Sequence, residues 1–193
     1  TILDGYYGYN SNYPDGLYVA DSSGKLITAS ESTKKESDVT NSTWYKEGIS
    51  RVNMAIGSAY QNEEGVNLIS ASGILNDGSD NVRVISADMT LDRIAVIVNS
   101  FIEMNDAEAV LVDKTSGVIL ASRDSSQISQ TFGADGQSHF YQLAAEKVAA
   151  KDYSFVTLDG NMTVFQEVEG TNWLLISYIP THTVLADLTQ LRN

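Results

Sequence analysis

The chain predicts an α+β fold built twice: two tandem modules, each an antiparallel sheet of about five strands flanked by helices. Two observations carry that prediction. The segment from Leu17 to Ala29, containing Val19-Ala20-Asp21-Ser22-Ser23-Gly24, returns from Val110 to Ser122 as Val112-Asp113-Lys114-Thr115-Ser116-Gly117, so that Gly24 and Gly117 lie 93 residues apart. A second echo, Val84-Ile85-Ser86-Ala87-Asp88 against Leu175-Ile176-Ser177-Tyr178-Ile179, keeps nearly the same offset, with 91 residues between Ile85 and Ile176. A period this long exceeds the roughly 20–50 residues of a solenoid unit and suits a small domain.

Each element follows from local chemistry. Residues 17–20 and 25–29 are β-rich runs joined by Asp21-Ser22-Ser23-Gly24, whose Asp and Gly tolerate turn angles, so they predict a hairpin. The same grammar recurs at 109–122. A polar stretch from Ser30 to Thr43 leads to Trp44-Tyr45-Lys46 and a short helix predicted over 44–55. Strands follow at 66–74 and 82–89, separated by the turn formers Asn76-Asp77-Gly78-Ser79-Asp80-Asn81. Leu91, Ile94, Ala95, Val98, Phe101 and Ile102 recur at helical spacing and make 90–104 an amphipathic connector. Module two repeats the plan: hairpin, helix near 138–150, strands at 153–158, 162–168 and 172–179, then a terminal helix from Thr181, whose start Pro180 and Thr181 suit.

Composition narrows the function. The 193 residues are 42% hydrophobic, enough for real cores, and carry a net charge of −13, which opposes nucleic acid and anionic membrane surfaces. With no cysteine, disulfides and thiolate chemistry are excluded. No apolar run of about 18 residues spans a bilayer and no signal peptide opens the chain. His139 and His182 are 43 residues apart without metal-ligand spacing, and the Asn76–Asn81 loop lacks a calcium pattern. There is no nucleophile elbow, phosphate loop or dinucleotide fingerprint. No catalytic residue, metal or cofactor is expected.

The order of hairpin, polar loop, Trp44-Tyr45-Lys46, paired strands ending in Ser86-Ala87-Asp88-Met89-Thr90-Leu91, then Val112-Asp113, Gly117, Ile119-Leu120-Ala121 and Trp173-Leu174-Leu175-Ile176, resembles the double Cache (dCache_1) sensor domain. Such domains form the extracellular part of bacterial chemoreceptors (methyl-accepting chemotaxis proteins) and sensor kinases. The resemblance implies two PAS-like modules: residues 1–98 as the membrane-distal, ligand-binding one, and 99–193 as the proximal one, whose terminal helix carries the signal. The family's long N-terminal helix is expected to precede Thr1 in a longer chain. It implies a non-enzymatic sensor of a small-molecule ligand, membrane-anchored in full length, outside the bacterial cell membrane, with a homodimer as an option. The alternatives are a histidine kinase or diguanylate cyclase ectodomain and, in another class, a glycan-binding, adhesive or hydrolytic surface domain using Tyr6, Tyr7, Tyr9, Tyr13 and Tyr18.

By the same resemblance Trp44 and Tyr45 are the family's aromatic pair, and Asp88 matches an acidic position that meets a ligand's amino group. Ser42 stands where amino-acid sensors carry an arginine for the ligand carboxylate, and Tyr60 is a further pocket residue. An aromatic face with a carboxylate suits an ammonium or a flat nitrogen heterocycle. Amines and nucleobase-like ligands therefore rank ahead of amino acids and small carboxylates, for which Lys34, Lys35 or Arg83 would have to replace the arginine. The plainer alternatives are that Trp44 plugs the core and that Asp88 accepts from backbone amides or caps the helix near Leu91.

Overall fold

A computed structural model describes residues 1–8, 13–105 and 107–183, leaving out the side chains of residues 101, 104 and 105. The chain divides into two compact units between Arg93 and Ile94, each with its own sheet.

The first unit opens with the short helix α1 (Ile2–Tyr6), capped by Thr1, an element the sequence did not predict. Strands β1 (Tyr18–Asp21) and β2 (Leu26–Ile27) form the expected hairpin. Asp21 Oδ1 accepts from the amides of Ser23 and Lys25 at 2.9 and 3.1 Å, and Gly24 supplies the left-handed residue at φ +82°. The polar loop contains a single 3₁₀ turn, Val39–Asn41, before helix α2 (Thr43–Gly48). That helix is half the predicted length. It stops at Gly48, and Ala55, counted in the helix from sequence, instead begins strand β3 (Ala55–Ile56) against the long strand β5 (Asn67–Leu75). β4 (Tyr60–Gln61) pairs further along the same strand, which makes the first sheet six-stranded. β5 and β6 (Arg83–Thr90) form the predicted antiparallel pair.

Helix α3 (Leu91–Asn105) leaves β6 directly, and Leu91, Ile94, Val98 and Ile102 make its buried stripe, as the periodicity predicts. The second unit contains β7 (Glu108–Asp113), β8 (Ile119–Ser122), α4 (His139–Ala149), β9 (Val156–Leu158), β10 (Asn161–Glu167) and β11 (Trp173–Pro180). Pro180 ends β11, paired with Asn161, and the helical residues that follow begin at Thr181, where the sequence places the start of the terminal helix; an extended Ile179 before proline favours this break. Thr181, His182 and Thr183 are helical, and the rest of the predicted terminal helix falls on residues 184–193, outside the described residues.

With its strands numbered from one to five, each sheet runs 2-1-5-4-3, β3 and β4 sharing the outer position in the first. The duplication is therefore topological as well as textual. Asp113 repeats the turn chemistry of Asp21, accepting from the amides of Thr115 and Ser116 at 2.8 Å. The core of the first unit centres on Tyr18, Ala20, Val39, Trp44, Tyr45 and Val84; that of the second joins Val110, Val112, Ile119, Phe140, Phe165, Leu174 and Ile176.

Candidate functional site

β1, β5 and β6 build the site by register. Ser70 pairs with Asp88 and Tyr18 with Ser86, and with the two-residue period of a strand this places Tyr18, Ser70, Ser86 and Asp88 on one face. All four are buried, Asp88 to 3% exposure, although most carboxylates remain in water. A charge so placed needs partners, and it has them. Ser70 Oγ donates to Asp88 Oδ1 at 2.6 Å, and the Tyr18 hydroxyl donates to the same oxygen. Tyr60 lies 2.6 Å from Ser70 Oγ and 3.5 Å from Asp88 Oδ1. Because Ser70 spends its single proton on Asp88, Tyr60 donates to Ser70, and the two hydroxyls form a relay toward the carboxylate.

The other carboxylate oxygen takes a cation from the polar loop. Lys34 Nζ is 2.7 Å from Asp88 Oδ2 and 3.8 Å from Glu36, and stands 4.7 Å from the Tyr18 ring centroid. Its side chain is only 6% exposed. Glu36 is held in turn by the indole of Trp44, whose Nε1 donates to it at 3.1 Å. The Trp44 ring is fully buried and meets Tyr18 edge-on at 4.9 Å. A cavity of about 130 Å³ opens beside the ion pair, bordered by Asp15, Lys34, Lys35, Asn62, Glu64 and Asp88.

Electrostatics match this geometry. Burial, then the nearby Asp88 charge, push the Tyr18 and Tyr60 hydroxyls well above the ordinary tyrosine range, so both remain neutral donors. Burial and Asp88 also raise Asp15.

Of the residues singled out from sequence, the structure joins Asp88 and Tyr60 directly and brings Trp44 in through Glu36. Asp88 takes its bonds from side chains, and Thr90 rather than Asp88 accepts the amide of Arg93 at the start of α3. Ser42 turns back on its own loop, donating to the Val39 carbonyl at 2.6 Å. Tyr45 is buried with its hydroxyl unpaired. Arg83 pairs with Asp77, and Lys34 is the cation on Asp88. Tyr18, Glu36 and Ser70 were not found from sequence. The alternation of Ser70 and Ser72 within an apolar strand was the available signal for one of them. A wider cavity of about 690 Å³ lies in the second unit near Lys114, Phe132 and Tyr153, but its Lys114 is already paired with Glu167 and it encloses no buried carboxylate cluster.

No protein-family model and no curated protein matches this chain. Solved structures do. The extracellular domain of the histidine-kinase candidate mmHK1S-Z3 matches all of this chain and 82% of its own at 16% identity and a TM-score of 0.71. The chain adopts the tandem Cache fold. The same Cache architecture relates it to the ligand-binding domain of the Pseudomonas fluorescens chemoreceptor CtaA in complex with L-isoleucine (19% identity, 88% of this chain and 70% of that one, TM-score 0.61). A third match is the ligand-binding domain of the Pseudomonas aeruginosa PAO1 amino acid chemoreceptor PctC with GABA (18%, 84% and 73%, TM-score 0.58).

Proposed function

We propose that this Cache chain is the non-enzymatic sensor domain of a bacterial transmembrane receptor, a chemoreceptor first and a sensor kinase or cyclase second. It works on the outer side of the cell membrane and recognises a small polar molecule that carries an ammonium. The observation that carries the ligand class is the buried Asp88 carboxylate, which already holds a primary ammonium beside an aromatic ring. The fold supports the sensor reading, and the L-isoleucine and GABA of the related domains both present an ammonium. A purely apolar or anionic ligand would gain nothing from Asp88. Amines and nucleobase-like cations fit without further help, whereas an amino acid also needs a cation for its carboxylate, a part that Lys35, which borders the cavity, is placed to take. Occupancy is read out by the terminal residues 181–193, through a displacement that biases two output states across a receptor dimer.

A thermal-shift screen of amines, nucleobases, amino acids and small carboxylates tests this, because a ligand at 100 times its Kd adds about 2.7 kcal/mol. The expected hit carries an ammonium and is lost in Asp88→Asn. A hit that survives Asp88→Asn moves the site elsewhere. Turnover of glycosides or esters, or binding of polymeric glycans with no small-molecule hit, replaces the sensor reading with the hydrolytic or adhesive one.

A further inference from the structure

Lys34 stands where the sensor reading puts the ligand. Two carboxylates and a tyrosine face converge on its Nζ, at 2.7 Å from Asp88, 3.8 Å from Glu36 and 4.7 Å from the Tyr18 ring centroid. This is the constellation that would read a ligand's ammonium, and it is occupied by the protein itself. Resting on that reading, we propose that Lys34 is a built-in competitor: its side chain fills the ammonium seat of the ligand-free domain, and a ligand binds by replacing it and releasing residues 30–35, while Glu36 stays on Trp44 as part of the seat.

Three features support the exchange. The first is charge. Removing Lys34 without a substitute leaves a buried carboxylate with no cation on Oδ2, so a neutral or anionic ligand displaces it at a cost, whereas a cation restores the pair. Lys34 thereby sets specificity as well as affinity. The second is how the loop is attached. Ser30 N donates to Asp4 Oδ1 at 2.7 Å and Ser32 Oγ to Asp15 Oδ1 at 3.4 Å, both side-chain acceptors, and Ser32 N donates to the neighbouring Ala29 carbonyl at 3.1 Å. Residues 30–35 pair with no strand, so lifting them breaks no rung of the sheet. The third is position. The cavity beside Asp88 is bordered by Lys34 itself, so withdrawal of its side chain enlarges the same space in which the carboxylate is exposed. Apparent ligand affinity is then the intrinsic affinity multiplied by the fraction of molecules whose seat is vacant.

The test supplies the missing ammonium from solution. Lys34→Ala removes Cγ, Cδ, Cε and Nζ, the atoms of n-propylammonium. Calorimetric titration and thermal melts of the 193-residue chain should show n-propylammonium binding Lys34→Ala at least about tenfold more tightly than wild type, because the competitor is gone. The gain should vanish in Lys34→Ala/Asp88→Asn and be absent with sodium propionate at equal ionic strength. Equal responses in wild type and Lys34→Ala, or a preference for propionate, overturn the proposal. If Lys34→Ala does not fold in plain buffer, n-propylammonium must restore its cooperative melt, and failure to do so at about 100 mM counts as refutation. The two readings also fail differently. A wild type that binds an amine through Asp88 as tightly as Lys34→Ala keeps the sensor and discards the competitor. A gain in Lys34→Ala, when wild type answers no ammonium compound in the screen, keeps Lys34 as occupant and discards the sensor.

Discussion

At the scale of single residues, the Lys34–Asp88 pair should dominate the energetics of the first unit. Both side chains are more than nine-tenths buried, so Asp88→Asn leaves an ammonium without its main partner and should destabilise by about 3–5 kcal/mol in urea unfolding. Lys34→Met should be milder, since Tyr18 and Ser70 still donate to the carboxylate. The double variant should be more stable than the sum of the two predicts, by about 0.5–3 kcal/mol, and strict additivity would show that the pair is not coupled. Asp88 was legible in the sequence as a carboxylate inside an apolar strand. Its partner was not, because Lys34 lies 54 residues away in a loop without periodicity and one lysine there looks like the next. In the second unit, Asp152 is bonded by Lys147 at 2.8 Å and by Ser154, in that order of effect, and is held down to about 2. A depressed carboxyl contributes stability that is complete above its unfolded value of 3.8 and is lost as pH falls toward 2. The melting-temperature gap between wild type and Asp152→Asn should therefore be flat from pH 7 to about 5 and close between about pH 4 and 2. A gap that persisted below pH 2 would rule out this assignment.

At the scale of elements, α2 shows how tertiary contact overrides propensity. A Cβ on Gly48 would lie 2.4 Å from Val84 Cγ1 and 3.0 Å from the Ser72 side chain, so this glycine lets the helix rest on the sheet. Gly48→Ala improves intrinsic helix propensity yet should lower stability by about 1–3 kcal/mol through overpacking; a stabilised variant would contradict this close approach. The hairpins and the β5–β6 pair could be read from sequence because turn chemistry and alternation are local. β3 and β4 could not. They are two-residue strands that exist only because β5 offers them an edge, and nothing in Ala55-Ile56 or Tyr60-Gln61 announces it. Pro180, by contrast, was legible: it closes the ladder with β10 at Asn161, and the helical residues begin at Thr181 as local chemistry predicts.

At the scale of the whole molecule, a net charge of −13 surrounds the acidic site and should steer cations toward it. Association of an ammonium ligand should slow by about three- to tenfold between about 10 mM and 0.5 M salt, as measured by stopped flow, because screening shortens the reach of that field. A carboxylate ligand should show the opposite trend. The sequence by itself determined the duplication, the α+β class, where the principal strands fall along the chain and the acidity, since these follow from local turn chemistry, side-chain alternation and composition. Only the tertiary structure decided that both sheets share one strand order, that Trp44 supports Glu36 from within the core, and that Lys34 sits on Asp88. Strand order and ion pairing are choices among distant partners, and they are settled by which burial leaves every charge and backbone group satisfied, a condition no local window contains.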